Sequence, residues 1–170
     1  KIQIPTKLIQ ELDSVFNKSY KYIGYAPGAG EKDKIWNIEK FVEVAKYFEN
    51  QNYKSVFFFG PEDIVLQNKV KNSFQDALYP EEKIDSFSGP EIIIACTQYL
   101  SCSLSNDSGV SHMLSTNKCP LIKLFGPKDS KKFTPSSSMI HTISSNDFGS
   151  TDINFIPVKD VIEMMKKYGS

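Results

Sequence analysis

The sequence contains no arginine, and all 20 of its basic residues are lysines. Arginine is the usual bidentate ligand of phosphate groups, so a phosphate site in this chain must use lysine ammonium groups as point charges together with backbone N–H groups. The lysines are balanced by 20 aspartates and glutamates, and the formal net charge is zero. This balance excludes a strongly basic protein that binds nucleic acid in bulk. An anion site should therefore be sought among lysines in loops.

Cysteine is scarce, and long apolar runs are missing. The three cysteines, Cys96, Cys102 and Cys119, are odd in number and widely spaced, which indicates reduced packing residues of a cytosolic protein rather than a disulfide framework or a zinc site. No apolar run approaches the roughly 18 residues of a membrane-spanning helix, and no secretory signal is visible. The 170 residues suffice for one domain. Because the chain begins at Lys1 rather than at methionine, we expect a processed product or an excised domain.

Hydrophobic periodicity predicts strands that alternate with helices. Apolar or β-branched runs that stop at glycine or proline indicate strands buried on both faces, whereas apolar residues at 3.6-residue spacing indicate amphipathic helices. The predicted strands are 20–26, 54–59, 83–87, a run that ends at 104–105, 121–125 and 139–143. The predicted helices are 6–18 with Thr6 as N-cap, 37–51 with Asn37 as N-cap, one that begins at Pro61 and ends at Pro80, 89–100, one that begins at Gly109, and 158–168.

This alternation predicts an α/β fold, namely a doubly wound, mostly parallel, Rossmann-like sheet of about six strands. The carboxyl ends of parallel strands lie at one edge of the sheet, so the loops that follow them should meet there. Four polar loops qualify: 28–34, 60–63, 107–112 and 126–128. Because open α/β sheets bind ligands at this edge, we expect the binding site in these loops.

Residues 104–112, Leu-Ser-Asn-Asp-Ser-Gly-Val-Ser-His, have the pattern of a strand that turns into a helix, with Asn106 and Asp107 as turn formers. The first N–H groups of a helix that begins at Gly109 lack partners and favour an anion. Asp107 repels phosphate but accepts hydrogen bonds from hydroxyl groups. Together these features indicate a nucleotide sugar. His112 lies on the same helix face as Gly109, where it reaches a phosphate or sugar or else packs as a structural histidine.

Four segments, in this order, resemble the carboxyl-terminal, donor-binding half of the heptosyltransferase-like glycosyltransferases (glycosyltransferase family 9), an inverting family with the two-domain GT-B fold. They are Pro27-Gly28-Ala29-Gly30 through Lys34-Ile35-Trp36, Phe59-Gly60-Pro61-Glu62, Asn106-Asp107-Ser108-Gly109-Val110-Ser111-His112, and Leu124-Phe125-Gly126-Pro127-Lys128-Asp129. The resemblance covers most of the chain and implies that residues 1–170 form one nucleotide-sugar-binding domain. It places the catalytic carboxylate and the acceptor site in an amino-terminal domain absent from this chain, so the catalytic base stays unknown.

The same resemblance implies roles for individual residues. Lys34 would contact a phosphate oxygen, Ser108 and Gly109 would supply backbone contacts to the diphosphate, and Asp107 would hold sugar hydroxyls. A carboxylate of the second loop would bind the ribose; this loop is one residue shorter than the common pattern, so either Glu62 or Asp63 could take the position, and we favour Glu62. The remaining candidate substrate-binding residues are Gly28, Ala29, Gly30, Lys128 and His112.

Three departures from the family pattern bear on the identity of the sugar and the base. Gly30 stands where the family usually has a hydroxyl residue. Asn37 follows the tryptophan in place of proline, and Val110-Ser111 replaces the more usual Pro-Met. These changes leave the predicted donor-binding role in place.

The activity implied is transfer of a heptose-like sugar from a nucleotide diphosphate sugar, similar to ADP-heptose, to lipopolysaccharide or another glycan held by the other domain. Lys34, the helix start at 108–110 and Lys128 would stabilise the departing nucleotide diphosphate. No cluster of histidines and carboxylates indicates a metal site, so we expect neither a metal nor a cofactor. We expect a cytoplasmic protein that associates at most peripherally with the inner face of the cytoplasmic membrane.

Other functions are compatible with the same residues. A non-catalytic nucleotide-binding module, or one half of a sugar-nucleotide epimerase, would use the same crevice. A serine hydrolase would use Ser108 as nucleophile and His112 or His141 as base, but Asn106 stands where the nucleophile elbow needs its first glycine.

The site residues also have purely structural interpretations. Asp107 could serve as a turn residue, Lys34 as a solvated surface lysine, and Glu62 as a partner of a helix dipole. Trp36, two residues after Lys34, favours an anchored first loop instead.

Overall fold

The fold is a parallel sheet with helices on both faces. A computed structural model describes residues 3–126 and 139–169. Its strands are β1 (Lys21–Ala26), β2 (Tyr53–Phe57), β3 (Leu100–Asn106), β4 (Leu121–Phe125) and β5 (Ile140–Ser144), in the spatial order β2-β1-β3-β4-β5 with parallel neighbours. Its helices are α1 (Thr6–Val15), α2 (Ile38–Glu49), α3 (Ile64–Ser73), α4 (Pro80–Lys83), α5 (Gly89–Cys96), α6 (Gly109–Leu114) and α7 (Val158–Tyr168). The predicted doubly wound architecture is confirmed.

Each face of the sheet has its own apolar core. On one face α2 and α7 pack around the fully buried rings of Tyr25, Trp36 and Phe41. On the other face α1 and α5 pack around Leu12 and Phe58, which are also fully buried. The continuous apolar strands predicted from the sequence follow from this arrangement, because successive side chains of a parallel strand enter opposite cores.

The helices are short. The longest, α2, has 12 residues, and no helix in the described part of the chain is long and apolar enough to cross a membrane.

The strand order reverses between β1 and β3, which we call the switch point. From β1 the chain passes to the edge strand β2 and then returns to β3 on the other side of β1. The connections that leave β1 and β3 run to opposite faces of the sheet, so a crevice opens between them at the carboxyl ends of these strands. Loops 28–34 and 107–112 flank this crevice.

The described sheet has five strands, close to the six or so predicted. The strand predicted at 83–87 is wrong: α4 (Pro80–Lys83) comes first, and the buried Ile84 follows in an extended loop. Pro80 begins a helix instead of ending one, and Glu81 and Glu82 occupy its first turn. Proline suits the first helical position, and carboxylates there complement the helix dipole.

Two predicted helix starts are displaced. Thr6 is the first residue of α1 rather than its cap, because Pro5 occupies the N-cap position without a side-chain hydrogen bond. α3 begins at Ile64, three residues after Pro61, because Asp63 accepts the Gly60 N–H and closes a turn first. The predicted helix starts after Asn37, Ser108 and Pro157 are confirmed.

Candidate functional site

A cavity of about 740 Å³ opens at the switch point. Residues 28–30, 60–63 and 108–110 line it, so the structure brings three of the four predicted loops together. The opposite wall is formed by the end of β2 and the segment after it, by the residue before α4, and by helices α4 and α5. Its residues include Phe57, Phe59, Tyr79, Glu81, Gly89 and Ile93. The fourth loop begins beside the first, since a Cβ at Gly126 would lie 3.2 Å from the Asp33 carbonyl oxygen. Lys128 lies outside the described residues.

Asn106, at the end of β3, holds the first loop. Its side-chain amide donates to the Pro27 carbonyl oxygen (2.8 Å), and its Oδ1 accepts the Trp36 N–H (3.1 Å). Trp36 is fully buried, and its indole N–H donates to the Ile156 carbonyl oxygen (3.1 Å). The loop is therefore anchored at both ends, as Trp36 predicts. Asn106 itself is a strand residue with no exposed surface rather than a simple turn former.

Asp63 joins the first and second loops. Its Oδ2 accepts the Gly60 N–H (2.9 Å), and its carboxylate packs against the Cα of Gly28, where a Cβ would lie 2.7 Å from Oδ1 and closer still to Oδ2. A carboxylate held in this way has less freedom to receive a ligand. Glu62 is exposed at the cavity wall and has no such internal contact among the described residues. Of the two carboxylates, Glu62 is therefore the one with more freedom to receive a ligand.

Asp107 lies between two lysines. Its Oδ2 is 3.6 Å from the Lys34 ammonium nitrogen, and its Oδ1 is 3.3 Å from that of Lys123. Lys34 ends a 3-10 turn (Lys32–Lys34) and also lies 3.8 Å from Glu31. The side chains of Lys34, Asp107 and Lys123 are 20%, 13% and 2% exposed. Sequence reasoning missed Lys123. The one feature that pointed to it was the presence of a charged residue within an otherwise apolar strand.

The third loop begins α6 with reciprocal caps. Ser108 Oγ accepts the Ser111 N–H, and Ser111 Oγ accepts the Ser108 N–H, both at 3.3 Å. The N–H groups of Gly109 and Val110 have no partner among the described residues, and a Cβ at Gly109 would meet open space. These two amides are thus available to an anion. Since α6 has six residues, its dipole is small and the amides themselves must hold the anion.

The histidines stay away from the cavity wall. His112 is exposed on α6, and its neighbours Val110 and Met113 line the cavity instead. The ring of His141 stacks on Tyr168, with 3.5 Å between centroids. Neither histidine is hydrogen-bonded to Ser108 in the described part of the structure, and the Ser108 hydroxyl caps α6. A hydrolase would need a serine bonded to its base, so this geometry does not support that interpretation.

The far end of the cavity is aromatic and contains a half-buried carboxyl group. The rings of Phe57, Phe59 and Tyr79 stack with centroids 6.1 to 6.4 Å apart. Glu81 Oε1 accepts the Phe59 N–H (3.3 Å), and burial raises the pKa of Glu81 to about 7 although this hydrogen bond lowers it. The Tyr79 hydroxyl is buried without a partner among the described residues. Sequence reasoning missed Glu81, because a glutamate in a first helical turn is ordinary.

The three cysteines are buried and free, as predicted. Burial raises the pKa of Cys119 to about 11, so its thiol is protonated at neutral pH and packs as a small apolar group. Residues 3–126 and 139–169 contain no group of three or more His, Cys, Asp and Glu side chains that could hold a metal ion.

Known proteins resemble this chain in sequence and in fold. Residues 1–154 match the model of glycosyltransferase family 9 (heptosyltransferase). Lipopolysaccharide heptosyltransferase 2 of Salmonella typhimurium is 32% identical over 121 residues, which cover 66% of this chain and 33% of that protein. The chain therefore spans about a third of the length of this curated relative.

Solved structures of the family share the fold. A family 9 glycosyltransferase from Veillonella parvula superposes with a TM-score of 0.83 at 20% identity, over 98% of this chain and 52% of that one. The E. coli ADP-heptose lipopolysaccharide heptosyltransferase II gives 0.78 at 19% identity, over 99% and 53%. These structures are about twice as long as the chain.

Proposed function

The chain belongs to glycosyltransferase family 9, and we propose that it is the donor-binding domain of an inverting glycosyltransferase that transfers a heptose-like sugar from a nucleotide diphosphate sugar. The observation that carries the proposal is the position of Asp107. Its carboxylate pairs with the partly covered Lys34, and the open amides of Gly109 and Val110, two and three residues further along the chain, line the switch-point cavity. Cationic and N–H groups suit a diphosphate, and a carboxylate suits hydroxyl groups.

Lys34 and the two open amides would bind the diphosphate. Lys34 is the more exposed of the two lysines that flank Asp107, so it can turn toward a ligand. No arginine is present anywhere in the sequence, and one ammonium group with two backbone N–H groups replaces the bidentate clamp. Gly109 allows the close approach to the main chain that this contact needs.

Asp107 would hold the hydroxyl groups of the sugar, next to the diphosphate. Glu62, exposed on the second loop, would bind the ribose. The aromatic wall of Phe59 and Tyr79 then remains for the base, since stacking on rings suits any base.

In this reaction an acceptor hydroxyl attacks the anomeric carbon while the bond from that carbon to the diphosphate oxygen breaks. Negative charge builds on the leaving nucleotide diphosphate, and Lys34 with the amides of Gly109 and Val110 would stabilise it electrostatically. The base that takes the acceptor proton would come from another domain. We therefore expect this chain to bind the donor without transferring the sugar.

The acceptor we propose is lipopolysaccharide or a related glycan, because the curated relative is a lipopolysaccharide heptosyltransferase. An enzyme that acts on such an acceptor would work at the inner face of the cytoplasmic membrane, with peripheral contact at most.

Calorimetric titration with ADP, UDP and GDP tests the donor site. We expect one of them to bind, and Lys34→Ala to weaken its binding about tenfold or more, because a charge-assisted hydrogen bond contributes about 1.5–3 kcal/mol. Lys32→Ala is the matched control, since Lys32 is exposed in the same turn. The proposal fails if no nucleotide binds at millimolar concentration, or if the two variants bind equally well.

A further inference from the structure

Lys123 is a buried lysine on an interior strand of the sheet. It lies on β4 in register with Ser105 of β3 and Thr142 of β5, and its side chain is 2% exposed. A charge removed from water in this way needs a close opposite charge. The Asp107 carboxylate, 3.3 Å from the Lys123 ammonium, supplies it, and the Phe125 ring lies 5.3 Å from the same ammonium.

The second lysine beside Asp107 has a competing task. Lys34 is 3.6 Å from Asp107 and, under the proposed function, binds the diphosphate. A diphosphate carries more negative charge than a carboxylate, so it draws Lys34 away from Asp107. Asp107 would then remain, largely covered, beside a polyanion that repels it.

We infer that Lys123 is the positioning residue of the sugar subsite: it holds the Asp107 carboxylate in place and aimed at the sugar while Lys34 engages the diphosphate. This inference rests on the proposed function. The two lysines beside Asp107 then have different roles: Lys34 binds the diphosphate, and Lys123 positions the Asp107 carboxylate.

The burial of Lys123 separates this role from direct phosphate binding. The side chain of Lys123 is 2% exposed, against 20% for Lys34 and 13% for Asp107, so its ammonium has little surface to offer a ligand. Its ammonium lies 3.3 Å from Oδ1 of the carboxylate, whereas that of Lys34 lies 3.6 Å from Oδ2, so the two lysines contact different oxygens. Removing Lys123 should therefore affect recognition of the sugar and leave recognition of the diphosphate in place.

The test compares the affinities of the chain for ADP and ADP-heptose by calorimetry, for wild type, Lys123→Met, Asp107→Asn and the double variant. Methionine keeps the length of the side chain and removes the charge. Lys118→Met is the matched control, because Lys118 is exposed in the loop before β4 and its replacement changes the net charge equally.

We expect wild type to bind ADP-heptose more tightly than ADP, and Lys123→Met to reduce that ratio about tenfold, as truncation of one partner of a buried charge pair does. The affinity for ADP should change less than about threefold, and Lys118→Met should change neither. In the Asp107→Asn background, Lys123→Met should have no further effect on the ratio, because the carboxylate that it positions is gone.

The outcomes separate the two proposals. If wild type binds neither ligand, the proposed function fails and the inference falls with it. If wild type prefers ADP-heptose but Lys123→Met leaves the ratio unchanged, or lowers both affinities equally, Lys123 has a structural role and the inference alone is overturned. If Lys123→Met does not fold, the double variant shows the reason. It removes both charges, so it should fold if the unpaired Asp107 is what prevents folding of the single variant.

Discussion

At the scale of single residues, Glu81 shows how burial gives a common side chain an uncommon state. Its carboxyl group forms part of the cavity wall and accepts the Phe59 N–H, yet burial raises its pKa from 4.5 to about 7. In the unfolded chain the same group ionises near its ordinary value. Between these two pKa values the folded protein holds a proton that the unfolded chain has released.

The proton held by Glu81 should therefore contribute to the free energy of unfolding, and this contribution should decrease as the pH rises. It is fully present below pH 4.5 and is lost as the pH rises through about 7. A shift of this size corresponds to about 3 kcal/mol for a fully buried group, and solvent in the open cavity reduces it to about 1–2 kcal/mol. Urea unfolding of wild type and Glu81→Gln from pH 4 to pH 8 measures it. We expect the free energy of unfolding of Glu81→Gln, relative to that of wild type, to increase by that amount between pH 4 and pH 8. A difference between the two proteins that stays constant with pH contradicts this role of Glu81.

A neighbouring side chain, and not the backbone angles, restricts position 28 to glycine. A Cβ at this position would lie 2.7 Å from Asp63 Oδ1, whereas a Cβ at Gly30 would have no atom within 4 Å. We predict that Gly28→Ala lowers the free energy of unfolding by about 1–3 kcal/mol, as overpacking does, and that Gly30→Ala changes it by less than about 1 kcal/mol. Urea unfolding compares the two. Equal effects of the two substitutions would show that the contact between the first and second loops does not contribute to the free energy of unfolding.

At the scale of elements, Asn106 links β3 to the first loop by serving two backbone groups at once. Asn106→Ala would leave the buried Pro27 carbonyl oxygen and the Trp36 N–H without their partner. Each unsatisfied buried group costs about 1–3 kcal/mol, so for the two groups we expect a loss of about 2–6 kcal/mol in urea unfolding, together with weaker nucleotide binding. Asn154→Ala removes one exposed hydrogen bond to the Asn37 N–H and should cost less than about 1 kcal/mol. A similar cost for both variants would contradict this role of Asn106.

The elements also show what the sequence can and cannot predict. The strands that carry long apolar runs and the helices that begin after Asn37, Ser108 and Pro157 follow from local rules of capping and periodicity. The segment around Pro80 does not, because proline both ends helices and begins them, and here it begins one.

Some residues of the candidate site can likewise be predicted from the sequence, and others cannot. Loop residues such as Lys34 and Asp107 are visible in the sequence, since polar groups after strands meet at one edge of a parallel sheet. Lys123 and Glu81 are not, because their roles depend on which side chain lies across the sheet or the cavity from them.

At the scale of the whole molecule, the reversal of strand order between β1 and β3 creates the site. Loops from opposite faces meet there, so Lys34 of the first loop pairs with Asp107 at the end of β3, and the open amides that follow Asp107 line the cavity. The chain belongs to glycosyltransferase family 9, and open α/β sheets bind ligands in such a crevice, which is why we propose the donor site there.

A crystal structure of the chain with bound ADP-heptose tests this account most directly. We predict the diphosphate within hydrogen-bonding distance of the Lys34 ammonium and of the Gly109 and Val110 amides, with sugar hydroxyls on Asp107 and Lys123 still paired to it. A nucleotide bound elsewhere on the protein, or bound in the cavity with its diphosphate away from Lys34, would contradict the account.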